Sequence, residues 1–131
     1  MLDDIALAAK PSLTDCELNT LFTAAWPHHR QTRFAPVLAH SLTWIAARRH
    51  DRLIGFVNVA TDGGTHAFVL DTTVHPEHQR RGLGRQLITT AVEQARNAGI
   101  AWLHVDYEPH LDGFYRSCGF RPTTAGLLRL N

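Results

Sequence analysis

The chain has 131 residues, of which 44% are hydrophobic and 19% are charged, and its 13 basic and 12 acidic residues give a net charge of +1. This composition is that of a globular protein and excludes a disordered chain, and the length predicts a single domain over residues 1–131. The even charge balance argues against a protein whose main role is to coat nucleic acid or an anionic membrane.

The compartment is predicted from the apolar segments and the cysteines. No apolar run approaches the ~18 residues of a membrane span, and residues 1–4 lack the positive start and apolar stretch of a secretory signal. Cys16 and Cys118 are far apart in the sequence, so we expect two reduced thiols. We therefore expect a cytoplasmic protein with no membrane partner.

The amino-terminal third is predicted to form one strand and two helices. A strand at residues 5–9 is followed by Thr14 and Glu17, which form the S/T-x-x-E pattern of a capping box. Apolar residues then recur at helical spacing until Trp26-Pro27 ends the helix. Thr32 is predicted to cap a second, shorter helix with Pro36 in its first turn.

The rest of the chain alternates strands and helices. Strands at 42–47, 53–60 and 67–74 precede a glycine-bearing loop and a long amphipathic helix that ends at Gly99. A strand at 101–105, a short helix at 112–117 and two edge strands, around Phe120 and at 127–130, complete the prediction. This order predicts a mixed α/β (α+β) fold, with a central mixed sheet of six to seven strands and about four helices. The strands on either side of the long helix are expected to be parallel.

The loop before the long helix carries the clearest sign of chemistry. Gly82 and Gly84 let the backbone approach a ligand closely, and a helix start offers free N–H groups to an anion. Arg80, Arg81 and Arg85 add positive charge around them. The segment predicts a site for a phosphate-bearing ligand; the alternative is an ordinary glycine turn with a solvated basic helix start.

Two other phosphate-binding motifs do not fit this loop. The G-x-x-x-x-G-K-[ST] pattern of nucleoside-triphosphate loops is absent from the sequence. The dinucleotide fingerprint needs a third glycine where this chain has Leu87. The loop therefore belongs to neither class.

Two motifs in the correct order resemble one family. Gln79-Arg80-Arg81-Gly82-Leu83-Gly84 matches the Q/R-x-x-G-x-G/A signature of the GCN5-related N-acetyltransferases (GNAT), and Val74-His75-Pro76 before it is similar to their usual strand exit. Downstream, Phe114-Tyr115-Arg116-Ser117-Cys118-Gly119-Phe120 resembles their F/L-Y-x-x-x-G-F helix and strand. The resemblance covers about residues 66–120 and implies the GNAT acyl-CoA N-acyltransferase fold.

The resemblance also implies acetyl-coenzyme A as co-substrate. In this family the loop amides hold the pyrophosphate, and the strand before the loop pairs with the pantetheine arm, so the thioester lies where two central strands splay apart. An extended pantetheine acts like an added strand. The residues thereby implied in coenzyme binding are Thr72, Val74, Gln79, Arg80, Arg81, Gly82, Leu83, Gly84 and Arg85.

Proton transfer is assigned to two side chains. Tyr115 aligns with the family tyrosine that donates a proton to the leaving thiolate, although a half-buried aromatic beside Phe114 would show the same pattern. The general base has no fixed position in the family. Asp71 is our choice, with Asp106 and Glu108 as alternatives, and a solvated strand exit is the other interpretation of those two.

We expect no metal. His75 and His78 have an H-x-x-H spacing, but Pro76 lies between them in a loop and no third ligand is nearby.

The predicted function is N-acetyl transfer from acetyl-coenzyme A to a primary amine, by direct attack in a ternary complex. The acceptor is expected to be a small amine or a peptide amine, and homodimerisation stays open. The alternative is a regulatory or sensor module of the same fold that binds acyl-coenzyme A without turnover. A nucleic-acid partner is not expected, because the arginines lack interleaved aromatic residues.

Overall fold

A computed structural model describes residues 4–131 of the chain. Within that range, five strands form one sheet in the order β1-β2-β3-β4-β5, with four α-helices and two short 3-10 turns. The strands are β1 (Ile5–Ala9), β2 (Ser41–Arg49), β3 (Arg52–Thr61), β4 (His66–Val74) and β5 (Trp102–His104). The helices are α1 (Asp15–Ala25), α2 (Ala35–Leu38), α3 (Leu83–Asn97) and α4 (Asp112–Ser117), and the turns lie at Pro76–His78 and Pro109–Leu111. None of the helices in the described part of the chain is long and apolar enough to cross a membrane.

The sheet is mixed, as predicted. Strands β1 to β4 pair in antiparallel fashion, whereas β4 and β5 are parallel. Helix α3 makes the crossover between β4 and β5 and packs on β2, β3 and β4. This connection brings the loop before α3 to the carboxyl end of β4.

Helices cover the two faces of the sheet and bury two apolar clusters. On one face α3 packs its Leu87 and Ile88 against Val57 and Val59 of β3, and all four side chains are fully buried. Tyr115 of α4 belongs to this same cluster. The other cluster joins α1 and α2 to the opposite face and contains Leu18, Leu21, Phe22, Phe34, Ala46, Leu53 and Phe56.

Local signals specify several helix ends. The Thr14 hydroxyl accepts from the Glu17 N–H at 3.1 Å, and the Glu17 carboxylate accepts from the Thr14 N–H at 2.9 Å, so the predicted capping box is confirmed. Gly99 follows α3 with φ +84°, as expected of a left-handed helix stop. The predicted cap at Thr32 is wrong. The backbone N–H and C=O of Thr32 both bond to the Asn19 side chain, and α2 starts only at Ala35.

The predicted number of strands is too high. No regular secondary structure follows α4 in the described chain, so the edge strands expected around Phe120 and at 127–130 are not formed. Pro122 has no N–H to donate to a ladder, and β5 offers an edge of only three residues. Leu127, Leu128 and Leu130 are each at least 80% exposed. Apolar character alone therefore did not make this segment a strand.

Candidate active site

Strands β4 and β5 separate soon after they meet. They pair at His66–Trp102, Ala67–Leu103 and Phe68–His104, and in the described chain the ladder then ends. Beyond Phe68 the edge of β4 that faces β5 has backbone groups without a strand partner. A notch therefore opens between the strands on the way to the loop before α3. An extended amide-containing arm could pair with that edge as an additional strand would.

A bulge in β4 lies beside this notch. Thr73 pairs with Phe56 of β3, and Leu70 pairs with Asn58, so two residues of β4, Asp71 and Thr72, lie opposite a single residue of β3. Asp71 adopts φ +58°, a left-handed conformation that costs energy for a residue with a side chain.

The two threonines after the bulge residue contact different layers. The Thr72 hydroxyl lies 3.4 Å from the hydroxyl of Tyr115 in α4. The Thr73 hydroxyl instead accepts a hydrogen bond from Nε1 of Trp26, at the end of α1, at 3.0 Å. The bulge is thus the point of the sheet at which side chains from both layers meet.

Tyr115 is held rigidly in the notch. Its side chain is only 6% exposed, its ring stacks on Tyr107 at 4.7 Å between centroids, and Phe114 and Phe120 pack on it edge to face. Burial raises the pKa of the phenol, the charge of Asp106 adds to the rise, and the Thr72 hydrogen bond opposes it. The hydroxyl is therefore protonated at physiological pH, which is the state a proton donor requires.

Asp71 has the properties of a proton acceptor. Its side chain reaches solvent, yet the surrounding protein partly desolvates the carboxyl and raises its pKa. A carboxylate with a raised pKa is a stronger base. Asp106 and Glu108, the alternatives, are exposed beyond β5. Asp106 is near enough to Tyr115 for its charge to raise the phenol pKa.

The loop before α3 presents backbone donors. Gly82 is the N-cap of α3 with φ +83°, and the first intrahelical bond of the helix runs from the Gln86 N–H to the Gly82 carbonyl. The amides of residues 83–85 consequently have no acceptor within the helix. Arg80, in a left-handed conformation at φ +63°, lies with Arg81 and Arg85 on the exposed surface around them. Free amides and arginines together suit an anion.

Three of the predicted coenzyme residues also make contacts within the protein. The Gln79 side chain donates to the Val74 carbonyl at 3.0 Å. Leu83 is buried in the core, so only its backbone can face a ligand. A Cβ on Gly84 would lie 3.4 Å from Cζ of Phe114, an ordinary van der Waals contact, so this position packs against α4. A side chain larger than that of alanine at Gly84 would therefore test the packing of α4 as well as the anion site.

The Acetyltransferase (GNAT) family model matches residues 13–120 of this chain. The chain belongs to the GNAT family. Of its relatives, the uncharacterized N-acetyltransferase ycf52 of Porphyra purpurea is 30% identical over 124 residues, which cover 91% of this chain and 71% of that protein. Serotonin N-acetyltransferase 2, chloroplastic, of Oryza sativa subsp. japonica is 33% identical over 108 residues. The match covers 79% of this chain and 54% of the rice protein, so this chain spans about half of its length.

Solved structures share the same fold. The GNAT family protein SP0256 of Streptococcus pneumoniae TIGR4 superposes with a TM-score of 0.79 at 26% identity, covering 97% of this chain and 98% of that one. The aminoglycoside N-acetyltransferase AAC(6')-Iy in complex with CoA superposes with a TM-score of 0.75 at 18% identity, covering 97% and 94%. The predicted GNAT fold is therefore confirmed.

This GNAT chain also has site residues that sequence reasoning missed. Trp26, Thr73 and Tyr107 all contact the bulge or the tyrosine beside it. At Trp26 the sequence indicates only a helix end, because nothing in its local sequence shows that α1 reaches β4. Tyr107 precedes the Phe-Tyr motif by several residues in a segment without periodicity. An aromatic residue in the connection between β5 and α4 was the one available signal.

The paired histidines of this GNAT chain form protein contacts. The His75 ring nitrogens contact Nη2 of Arg52 at 2.8 Å and the N–H of Glu77 at 3.1 Å, and its ring packs edge to face with His78 at 6.1 Å. Among residues 4–131, no group of three or more metal-ligating side chains is assembled. His75 therefore serves to hold the loop after β4 against the start of β3.

Proposed function

We propose that this protein transfers an acetyl group from acetyl-coenzyme A to a primary amine. One observation carries the proposal: the open edge of β4 runs from the amide and arginine loop to Tyr115 and Thr72, whose hydroxyls are 3.4 Å apart. Such an edge suits an extended pantetheine with its phosphates at the loop and its thioester at the tyrosine. Family membership and a fold shared with a CoA-bound acetyltransferase support the choice of coenzyme.

The proposed reaction is a direct attack in a ternary complex. The amine nitrogen forms a bond to the thioester carbon, and the carbon–sulfur bond breaks. Before the attack, Asp71 takes a proton from the bound ammonium and releases it to solvent. During the attack, Asp71 takes a second proton from the nitrogen, directly or through water, and Tyr115 gives its proton to the departing sulfur. The products are an N-acetylated amine and the free thiol, and a proton passed from Asp71 back to Tyr115 through solvent restores the starting state. No covalent intermediate with the protein is needed.

The alternative is a sensor that binds acyl-coenzyme A without turnover. A pure sensor would not need the protonated phenol and the exposed carboxylate beside the notch, so these two groups favour the enzyme.

The acceptor is proposed only as a primary amine of a small molecule or a peptide. The rice relative is named for serotonin and as chloroplastic. A cytoplasmic location for this chain therefore remains a proposal.

A thiol-release assay separates the two functions. We expect acetyl-coenzyme A to yield free thiol only when an amine is present, and mass spectrometry to detect the acetylated amine. The panel should contain small aliphatic, aromatic and polycationic amines and a lysine peptide. If the coenzyme binds in a calorimetric titration and no amine of the panel is acetylated, the sensor interpretation replaces the enzyme.

The anion site predicts a local effect of charge reversal. Arg81→Glu places a negative charge beside the free amides of α3, where the coenzyme phosphates would repel it. We expect the Kd for coenzyme A to rise by about 10- to 100-fold, as for the loss of a charge-assisted contact. Isothermal titration calorimetry at low and high salt measures the change, which should shrink as salt increases.

A matched control is available on the same helix. Arg96→Glu changes the net charge equally, but Arg96 is exposed in the last turn of α3, about 20 Å from the loop. We expect the Kd of this variant to stay within about threefold of wild type. Equal weakening in both variants would mean that only the overall charge matters and would remove the pyrophosphate from the loop.

A further inference from the structure

The sheet face opposite α3 is left partly uncovered next to the bulge. Along β4, Ala67 and Val69 are buried under α3, whereas Phe68 is 38% exposed and Leu70 is 39% exposed. Both exposed residues lie on the face that α1 and α2 cover farther along the sheet, at Phe56. Apolar side chains therefore remain in contact with solvent directly before Asp71.

Trp26 bounds this open face on the side of α1. Its side chain is 47% exposed, and its indole N–H is fixed by the Thr73 hydroxyl at 3.0 Å. That hydroxyl in turn donates to the Asp71 carbonyl at 2.9 Å. The indole is therefore held beside the bulge with its only polar atom satisfied, and it offers an apolar surface at little further cost in conformational entropy.

The far end of the open face is also ordered. Phe68 stacks on His104 of β5 with ring centroids 4.7 Å apart and an interplanar angle of 22°, and His104 contacts His66 at 2.7 Å. Residues two apart on a strand are about 7 Å apart. Leu70 therefore lies about 3 Å and Phe68 about 10 Å along β4 from Asp71. A ring close to the amino group would reach Leu70, and only a larger amine would reach Phe68.

Charge sets the orientation of a ligand on this face. Acidic residues follow the apolar ones on both strands: Asp71 on β4, and Asp106 and Glu108 after β5. The ammonium end of an amine would be attracted to these carboxylates and its apolar end to Trp26 and Leu70. A neutral ligand would gain only the apolar contacts, and an anionic ligand would be repelled by the carboxylates.

We propose that Trp26 and Leu70 form an acceptor platform that selects amines carrying an aromatic ring close to the amino group. This inference rests on the proposed function, since it places the amine of that reaction. The platform binds the ring, and the carboxylates hold the ammonium beside the bulge, next to the carboxyl that takes its proton. Trp26 is then a residue that determines specificity and takes no part in proton transfer.

Two primary amines, one with an aromatic ring and one without, test the platform. With 2-phenylethylamine and butylamine as acceptors, we expect the wild-type kcat/KM to favour the aromatic amine by about tenfold or more, because the ring buries more apolar area. Trp26→Ala and Leu70→Ser should each lower kcat/KM for 2-phenylethylamine by about 10- to 100-fold, mainly through KM, and for butylamine by less than about threefold. Trp26→Phe keeps a ring and should retain most of the preference.

Trp102 provides the matched control. It is an exposed tryptophan, 65% accessible, at the start of β5 opposite His66, about 16 Å from the bulge along the strands. Trp102→Ala should leave kcat/KM unchanged for both amines. The platform would be wrong if Trp26→Ala and Leu70→Ser lowered kcat/KM equally for both amines, or if the wild type showed no preference. Either result would leave the proposed acetyltransferase function standing.

A binding measurement separates the platform from the reaction. Titration of 2-phenylethylamine should change the intrinsic tryptophan fluorescence of the wild type and not that of Trp26→Phe. If the wild type acetylates neither these two amines nor any other amine of the panel but shows this Trp26-dependent change, the platform stands and the proposed reaction fails. Sedimentation could instead show a dimer that Leu70→Ser dissociates, with an equal decrease in kcat/KM for both amines. In that case the face is a subunit interface and the platform is wrong.

Discussion

Replacement of Tyr115 by phenylalanine should lower kcat by about 10²- to 10⁴-fold, the usual effect of removing a positioned proton donor. The variant keeps the stacked ring between Tyr107, Phe114 and Phe120 and loses only the hydroxyl that contacts Thr72. Because that hydroxyl acts as charge develops on sulfur, the affinity for acetyl-coenzyme A should stay within a few-fold of wild type. Steady-state kinetics and calorimetry measure the two quantities.

The pH profile gives this prediction a second measurement. In the wild type, kcat should fall at alkaline pH as the phenol ionises, at a pH above the ordinary tyrosine pKa because burial raises it. The variant should lack this alkaline decrease. Thr72→Val, which removes the hydroxyl partner, provides a milder control. A phenylalanine variant that turns over near the wild-type rate, with chemistry rate-limiting, would limit Tyr115 to packing.

Asp71→Asn should produce the other large effect, about 10²-fold in kcat/KM at slightly acidic to neutral pH. At such pH most of the amine is protonated, so a base must take its proton before attack. The deficit should shrink as pH rises toward the amine pKa, because free amine then becomes abundant. A pH–rate profile of wild type and variant with the same amine measures this convergence.

Asp71→Asn should not lower the stability of the fold, although it should lower activity. The raised pKa of Asp71 means that the folded state binds its proton more tightly than the unfolded chain does. The charged carboxylate therefore lowers the free energy of unfolding once pH exceeds the ordinary aspartate pKa, and the asparagine variant escapes this penalty. Thermal unfolding at neutral pH should show a melting temperature no lower than wild type. An unaltered pH–rate profile would remove Asp71 from the mechanism, and Asp106→Asn would be tested next.

Local sequence signals predicted most of the elements because their causes are local. The Thr14–Glu17 capping box and the left-handed stop at Gly99 follow from residues that are close in the sequence. The parallel crossover follows from the order strand, helix, strand. The two GNAT motifs likewise lie in continuous segments, so the glycine loop before α3 and Tyr115 could be located without coordinates.

The predictions that failed depended on distant contacts. Thr32 does not cap a helix because its backbone bonds to Asn19, thirteen positions earlier. The contact between Trp26 and Thr73, 47 positions later, was missed because it depends on α1 reaching β4. The carboxyl-terminal leucines had the composition of a strand, and whether they form one depends on the short edge that β5 offers. Such tertiary effects are not encoded in any local pattern.

The bulge in β4 has a consequence for how the chain divides its two chemical tasks. Leu70 and Thr73 both face the layer of α1, and two residues lie between them. In a regular strand only one residue separates neighbours on the same face, so one of these two residues lies outside the regular pleat. Asp71 is that extra residue. A chain shortened by this one position could keep every other β4 side chain on its present face and form an uninterrupted strand. The sheet would be complete, and the site would lack the carboxyl that we propose as the base. The strand does not require this extra residue, and the proposed reaction does.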